Sequence, residues 1–325
     1  MRLKSFVLAS ALAMAAAPAA AAPFTALYVF GDSLSDVGNA TLLSGGTIPP
    51  PPYAPGRASN GPVAVDYLAQ SLGLAPLSPA LAPGGGTNYA VIGAATSLVP
   101  SAVGLADNTA ALYGLSGPAT GVLTGQLPLY GLQNPGAADA NALYFLWAGG
   151  NDILLGSTLG PAQAQAAAAN AALNVASAVD LLYAKGARHF LVPNLPVFNP
   201  AALTFNDTLA QQMGLRQNLA GIGLTTVDVS TRLTQFAVDP TYGFTRGFTP
   251  CLSGNPVSPG TNVCSADDEL ASILWDSSHP TTRVHELLAA DFLEALPDHD
   301  VPEPATMLLG AIGLAGVAYR RRRAA

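Results

Sequence analysis

Short apolar runs alternate along the chain with longer segments whose apolar residues recur at helical spacing. Five of the runs are continuous, which is typical of parallel strands buried on both faces. They cover residues 27–30, 89–94, 142–150, 189–196 and 225–230. The segments with helical spacing are residues 63–72, 161–184, 203–223 and 281–296. This alternation predicts an α/β domain in which helices cover both faces of a parallel sheet.

Two stretches rich in Gly, Pro and Asn interrupt this order. Residues 45–60 read GGTIPPPPYAPGRASN, and residues 241–262 have a similar character. Both are longer than ordinary connections between elements, so we interpret them as functional loops. The chain shows no internal repeat, and a single domain over residues 23–300 is the simplest division.

The first 22 residues have the composition of an export signal. Arg2 and Lys4 precede an apolar run, and small residues end the segment at Ala22. This order is typical of a secretory signal peptide that is cut near Ala22.

Residues 301–325 form a second segment of unusual composition. A Pro-Glu-Pro triplet at 302–304 precedes a short apolar stretch, 305–319, and four arginines, 320–323. The stretch is shorter than the ~20 residues usually needed to span a bilayer, so a buried helix is one interpretation. The arginines favour another, a membrane-inserted tail with its basic end in the cytoplasm.

The chain is acidic, with a formal net charge of −7. Arg2, Lys4 and the arginines at 320–323 lie in the two end segments, so the body of the protein is more acidic than the whole. Such a body repels nucleic acid. The sequence also lacks the Gly-x4-Gly-Lys pattern of a phosphate-binding loop, so we expect neither a nucleic-acid partner nor a nucleotide.

Cys251 and Cys264 are the only cysteines; Cys251 lies in the second Gly/Pro-rich stretch and Cys264 lies two residues beyond its end. In an exported chain, two cysteines this close favour a disulfide. Two free thiols are the alternative.

Residues that could take part in catalysis lie at the ends of three predicted strands and just before the last predicted helix. Ser33 follows the first strand, Gly93 closes the second and Asn151 follows the third, while Asp276 and His279 precede the last helix. The carboxyl ends of parallel strands meet at one sheet edge, so these groups should gather there. Ester hydrolysis needs a nucleophile, a base, an orienting carboxylate and donors for an oxyanion. The simpler alternatives are packing for Gly93, a turn for Asn151 and a helix cap for Asp276.

The chain has three other histidines that could compete with His279 as a base. His189 begins a predicted strand, His285 falls inside the last predicted helix, and His299 lies in an acidic stretch. We therefore expect structural or solvated roles for them. The His-Glu-x-x-His spacing of a zinc site is absent, and we expect no metal and no cofactor.

Taken together, these motifs resemble the GDSL or SGNH hydrolases over essentially the whole body of the chain. FGDSLSDVGN is similar to the family's nucleophile block, AGGNDI to its oxyanion block and WDSSHPT to its Asp-x-x-His block. The resemblance implies Ser33 as nucleophile, His279 as base and Asp276 as its orienting carboxylate. It also implies an oxyanion hole made by the Ser33 amide, the Gly93 amide and the Asn151 side chain.

One block departs from the family pattern. NYAVIGA places Ile92 where the family's first glycine is expected, so either Gly93 or a neighbouring residue supplies the second amide of the oxyanion hole. The fold implied by the resemblance is a flavodoxin-like three-layer α/β/α sandwich with a five-stranded parallel sheet.

The end of the chain resembles the PEP-CTERM sorting tails of bacterial surface proteins. This resemblance implies transient membrane insertion of the tail and processing by an exosortase-type enzyme. The protein would then reside at the cell surface, in the extracellular matrix or in the medium.

The sequence therefore predicts an exported serine ester hydrolase that cleaves a small-molecule or lipid ester through an acyl-serine intermediate. Two alternatives remain: an acyltransferase that uses the same site, and a non-catalytic binding protein of the envelope or matrix.

Overall fold

Four parallel strands form the central sheet of the computed structural model, which describes residues 24–96, 121–253 and 261–297. In chain order the strands are β1 (Leu27–Gly31), β2 (Leu143–Trp147), β3 (His189–Pro193) and β4 (Gly223–Val227), and each pairs with the next. Their first residues lie opposite one another in register. The carboxyl ends of all four strands therefore reach the same edge of the sheet. The predicted signal peptide, residues 1–22, and tail, residues 301–325, lie outside the described residues.

A fifth segment runs beside β1, where the sequence predicts a strand at residues 89–94. Three backbone hydrogen bonds join it to β1: Val29 N–H to Thr87 O (2.9 Å), Tyr89 N–H to Val29 O (2.7 Å) and Val91 N–H to Gly31 O (3.2 Å). Val29 and Asn88 form a parallel bridge, but the segment does not continue as a regular strand. Of the five predicted strands, four are thus regular in the described residues and one is a bridged edge segment.

Side chains accept from the amides of this segment that alternate with those bonded to β1. The Ala90 amide donates to the Asn88 side chain, and the Ile92 amide donates to the Asp36 carboxylate. The chain then turns at Gly93, whose φ of +80° lies in the left-handed region that favours glycine. The segment therefore ends in a turn instead of extending to residue 94.

The helices agree with the sequence pattern where they are long. They are α1 (Asn39–Leu43), α2 (Ala64–Ser71), α3 (Leu127–Gln133), α4 (Gly150–Ser157), α5 (Pro161–Lys185), α6 (Ala201–Arg216), α7 (Val229–Val238), α8 (Ala266–Ala271) and α9 (Thr282–Ala295). A π-helical turn, Val122–Gln126, precedes α3. The helix predicted to reach residue 223 ends at Arg216, because the chain must leave it to enter β4.

Helices cover both faces of the sheet. On β2, Phe145 and Trp147 contact Phe292 of α9, with ring centroids 5.5 and 5.7 Å apart. Tyr144 directly precedes Phe145 in sequence and contacts Tyr130 of α3 instead. Since successive side chains of a strand point to opposite faces, α9 and α3 lie on opposite sides of the sheet. These aromatic residues are fully buried and form the centre of the core.

Helix α5 is the longest element and is rich in alanine. Its buried residues recur at three- and four-residue spacing, and it packs against α4 and α6. By length and composition alone it could cross a membrane. Small side chains on one face let neighbouring helices approach closely, which accounts for the alanine content without a bilayer.

The second Gly/Pro-rich stretch carries a short hairpin, β5 (Leu252–Ser253) with β6 (Asn262–Val263). Cys251 and Cys264 flank it and form the predicted disulfide. The hairpin packs on Trp275, next to the Asp-x-x-His segment.

Candidate active site

Ser33 lies in a tight turn immediately after β1. The Asp32 carbonyl accepts hydrogen bonds from the Ser35 and Asp36 amides, at 3.1 and 3.0 Å, which folds the chain back directly after the strand. The last residue of β1, Gly31, must be glycine, because a Cβ there would lie 2.2 Å from the Trp147 carbonyl oxygen of β2. Close approach of β1 and β2 and the turn after β1 thus hold the serine hydroxyl at the sheet edge.

The three residues predicted to react or to assist lie in one hydrogen-bonded chain. Ser33 Oγ lies 2.8 Å from His279 Nε2, and His279 Nδ1 lies 2.7 Å from Asp276 Oδ2. The other oxygen of Asp276 accepts from the amides of Ser278 and His279, at 2.8 Å each. The carboxylate therefore fixes the loop that carries the imidazole as well as the imidazole itself.

Charge and burial set the protonation of this chain. Burial opposes a charge on His279, but the Asp276 carboxylate, its hydrogen bond and the more distant Asp32 outweigh burial and raise the pKa of His279. Burial would also raise the pKa of Asp276, yet the charge of His279 and the hydrogen bonds to the carboxylate lower it to about 2. Asp276 is thus an anion at neutral pH, and it favours the protonated form of His279.

Asp32 and Asp36 are buried carboxyl groups on the same turn as Ser33. Burial raises the pKa of each to about 6, against the opposing effect of backbone hydrogen bonds. Asp36 accepts from the amides of Gly38, Asn39, Ala40 and Ile92, so it joins the turn to α1 and to the segment before Gly93. Asp32 instead lines the cleft beside Ser33.

The amide of Gly93 differs from those of its neighbours. The Ile92 amide donates to Asp36 and the Ala94 amide to the Val91 carbonyl. Among the described residues, the amides of Gly93 and Ser33 donate no hydrogen bond. Of the amides at 92–94, only that of Gly93 therefore remains for an added acceptor.

Asn151 lies in the first turn of α4 and faces the Gly93 segment. Its side-chain Nδ2 donates to the Ala94 carbonyl at 3.0 Å, which uses one of its two N–H groups. The next residue, Asp152, accepts from the amide and the hydroxyl of Thr96. These bonds tie the start of α4 to the chain beyond Gly93.

A cleft of about 320 Å³ opens beside the serine. Ser33, Asn151 and His279 line it, and Gly93 does not. Its remaining wall is largely apolar, formed by Leu34, Ile153, Leu154, Leu195, Pro196, Phe198 and Ala202. Apolar clefts with a few polar groups are typical of small-molecule sites in proteins.

The other two histidines among the described residues do not line the cleft. His189 begins β3 and its ring contacts Phe24, while His285 is fully buried on α9. His299 lies outside the described residues. Within the described part of the chain, no group of three or more His, Cys, Asp or Glu side chains converges as a metal site would require.

Comparison with known proteins assigns the chain to a family. The model of the GDSL-like lipase/acylhydrolase family matches residues 27–292. The chain belongs to that family. A model of the PEP-CTERM protein-sorting motif matches residues 300–323 and indicates export to the cell surface or the extracellular space.

Curated relatives of the chain come from bacteria and from a plant. An uncharacterised Pseudomonas putida protein, from the trpE-trpG intergenic region, is 32% identical over 88% of this chain and 51% of its own length. Esterase EstA of Pseudomonas aeruginosa is 30% identical over 89% of the chain and 50% of its own length. A GDSL esterase/lipase of Arabidopsis thaliana is 27% identical over 82% of the chain and 88% of its own length. The chain thus spans about half the length of these Pseudomonas relatives.

The sequence did not single out Tyr53, which contacts Asp276 of the WDSSHPT motif. The Tyr53 hydroxyl donates to Asp276 Oδ2 at 2.6 Å, to the oxygen that also faces His279. Tyr53 lies in the first Gly/Pro-rich stretch, which the sequence marks as a functional loop. That stretch was the only sign available, since the contact joins positions 223 residues apart.

Proposed function

We propose that the protein is an exported serine ester hydrolase that cleaves carboxylic esters through an acyl-serine intermediate. The observation that carries the proposal is the chain from Ser33 through His279 to Asp276, at 2.8 and 2.7 Å, beside an apolar cleft. The nucleophile, base and orienting carboxylate lie within hydrogen-bonding distance of one another, the arrangement that activates a serine nucleophile.

In the first half of the reaction, neutral His279 takes the proton of Ser33 as its oxygen attacks the ester carbonyl. Asp276 stabilises the imidazolium that forms. The amides of Ser33 and Gly93 and the second N–H of Asn151 donate to the oxyanion. When the tetrahedral intermediate collapses, the alcohol leaves with the proton of His279, and the acyl group remains on Ser33.

In the second half, water replaces the alcohol. His279 takes a proton from water as it attacks the acyl-serine carbonyl, and the same donors hold the second oxyanion. Collapse releases the carboxylic acid and returns the proton to Ser33. The cycle needs no cofactor and no metal ion.

For the fold, we propose the flavodoxin-like three-layer sandwich, with the segment beside β1 as a fifth strand. If that segment is counted second in the chain, the spatial order becomes 2-1-3-4-5. This is the order of flavodoxin-like sheets, in which ligands bind beyond the carboxyl ends of the strands. Ser33 and Asn151 follow neighbouring strands at that edge.

For the whole chain, we propose three parts. Residues 1–22 are removed as a signal peptide, residues 23–300 form the hydrolase domain, and residues 301–325 form a sorting tail that inserts transiently in the membrane. The PEP-CTERM match supports processing of this tail by an exosortase-type enzyme. The mass of the protein recovered outside the cell tests both cleavages.

Ester cleavage is tested with the purified protein on a p-nitrophenyl acyl ester, together with covalent labelling by a fluorophosphonate. Ser33→Ala and His279→Ala should each lower kcat by about 10³-fold or more. Ser35→Ala is the matched control, because this buried hydroxyl lies on the same turn and has no hydrogen-bond partner. It should leave turnover and labelling close to those of the wild type.

The outcomes separate the proposal from its alternatives. Cleavage retained by Ser33→Ala would remove Ser33 from the mechanism. A wild-type protein that neither cleaves nor labels would point to a binding protein. If a competing alcohol captures most of the acyl group at the expense of hydrolysis, the protein is an acyltransferase.

A further inference from the structure

We propose that Tyr53 is a positioning residue of the active site, which sets the charge that Asp276 presents to His279. This inference rests on the proposed ester hydrolase function. It extends the hydrogen-bonded chain to four groups, from the Tyr53 hydroxyl through Asp276 and His279 to Ser33.

The carboxylate of Asp276 has four hydrogen-bonding contacts, and Tyr53 makes one of them. Oδ1 accepts from the amides of Ser278 and His279. Oδ2 faces His279 Nδ1 at 2.7 Å and the Tyr53 hydroxyl at 2.6 Å. The phenol and the imidazole therefore compete for the charge of the same oxygen.

Tyr53 is held in place from two sides. Its ring meets Trp275 edge-on, with centroids 6.3 Å apart, and it packs against the group formed by Cys251, Leu252 and Trp275. Further along the same loop, Ser59 Oγ donates to the Pro280 carbonyl at 2.8 Å. The loop thus contacts the Asp-x-x-His segment both before and after His279, so the hydroxyl reaches Asp276 from a fixed backbone.

Tyr53 is not among the residues that line the cleft, so it acts through Asp276 rather than on the substrate. A donor to the carboxylate stabilises its charge and lowers the pKa of Asp276. The same hydrogen bond reduces the negative charge that favours a proton on His279. Tyr53 therefore opposes the rise in the pKa of His279 and enlarges the fraction of neutral base near pH 7.

Of the described residues, three titratable groups act on His279 together with Tyr53. Asp276 on its own loop and Asp32 after β1 raise the pKa of His279. His285 on α9 is coupled to it, and its pKa is lowered to about 3 by burial and by the charge of His279. His285 is therefore neutral over the pH range of the assay, and its contribution stays constant.

The test compares Tyr53→Phe with Tyr67→Phe over a pH series in the full-length protein. Tyr67 is a matched control, since its hydroxyl makes a single 2.8 Å hydrogen bond to Thr282, outside the cleft. In Tyr53→Phe, the acidic limb of kcat/KM should move to higher pH by about half a unit. The plateau kcat should fall about three- to tenfold with KM unchanged. Tyr67→Phe should keep the wild-type limb and kcat.

A double-mutant cycle with Asp276→Asn separates positioning from a purely structural role. Without the carboxylate there is no charge to share, so adding Tyr53→Phe to Asp276→Asn should cause no further change in kcat. A limb that stays in place in Tyr53→Phe, or a full additional loss in the double variant, would overturn the inference. Those results would leave ester hydrolysis itself intact, whereas a wild-type protein that does not cleave esters would overturn the proposed function.

Discussion

The buried Asp32 carboxylate, next to the nucleophile, sets the pH dependence of the site together with Asp276. Both raise the pKa of His279 above its ordinary value of 6.5. The base must be neutral to accept the Ser33 proton, so kcat/KM should rise with pH through an apparent pKa above 6.5. A pH profile of ester cleavage measures this midpoint.

The Asp32→Asn variant should move the midpoint in the direction opposite to Tyr53→Phe. The amide retains the oxygen that accepts from the Leu34 amide but carries no charge to stabilise an imidazolium. The pKa of His279 should therefore fall, and the acidic limb should shift to lower pH. A limb that moves upward in this variant would contradict the assignment of His279 as the titrating base.

His285 illustrates a different effect of burial. It is fully buried, neither ring nitrogen has a partner, and burial lowers its pKa to about 3. The folded protein therefore binds one proton fewer than the unfolded chain below pH 6.5. Its contribution to stability is complete above pH 6.5 and is lost as the pH falls.

We therefore expect His285→Leu to resist acid better than the wild type. The variant should gain about 2 kcal/mol relative to wild type between pH 8 and pH 5, from the linkage slope of ~1.4 kcal/mol per pH unit. Thermal unfolding at the two pH values measures the difference, and ester cleavage at pH 8 is the control for an intact site. A pH-independent difference in Tm would show that folding does not lower the pKa of His285.

At the residue scale, local motifs predict Ser33, Asp276 and His279 as site residues, because each motif keeps its residue at a fixed offset from a strand or a helix. A motif with a fixed offset does not predict the role of Tyr53. Its hydroxyl meets Asp276 across 223 positions of sequence, and a lone tyrosine in a proline-rich loop carries no spacing that predicts a partner. For Gly93, the motif predicts only the region that supplies the second oxyanion amide. The structure distinguishes Gly93 within that region, because the amides of Ile92 and Ala94 already donate hydrogen bonds.

At the element scale, the disulfide hairpin supports the segment that carries Asp276. The Cys251 amide donates to the Leu274 carbonyl at 3.0 Å, and the Leu252 amide donates to the Trp275 carbonyl at 2.5 Å. Those two residues directly precede Asp276. The cross-link closes a short loop and constrains the unfolded chain by about 3 kcal/mol in the chain-entropy model.

The double variant Cys251→Ser/Cys264→Ser should lose both stability and activity. Its Tm should fall, and its kcat should fall more than its KM rises, because the base is displaced while the apolar wall of the cleft is unchanged. Reductant should lower the activity of the wild type but not that of the variant, which serves as its control. Equal kcat values for wild type and variant would show that the hairpin does not position Asp276.

Strands and helices were predictable from the sequence where burial of apolar side chains alone sets their pattern. Nearly continuous burial marks β1 to β3, whereas β4 is only partly buried, and helical spacing marks α5 and α9. The segment at 89–94 is a bridged edge segment in the described residues and does not reach residue 94, because the chain turns at Gly93. Short helices such as α1 and α8 were missed, since five or six residues give too few repeats to reveal a helical period.

At the scale of the whole molecule, the cleft brings together residues from the turn after β1, from α4, from the loop after β3 and from the segment before α9. Its mouth carries exposed apolar side chains, with Leu154 55% and Phe198 44% exposed. Phe198 meets Phe248 edge-on, with ring centroids 6.1 Å apart. Apolar surface that is exposed beside a reactive serine suits the hydrocarbon chain of an uncharged ester. The acidic Asp32 and the net charge of −7 disfavour anionic substrates.

Lengthening the acyl chain of a p-nitrophenyl ester should therefore raise kcat/KM until the chain outgrows the cleft. Each added methylene that reaches the apolar wall should contribute about a fourfold gain, from ~0.8 kcal/mol per buried CH₂. Phe198→Ser should flatten this dependence and leave acetate ester cleavage unchanged, because a two-carbon acyl group does not reach the mouth. Leu215→Ser, at an exposed apolar position on α6 outside the cleft, is the control and should keep the wild-type slope. A slope that is flat in the wild type would mean that the apolar wall contacts the alcohol instead, and a series that varies the alcohol would then show the dependence.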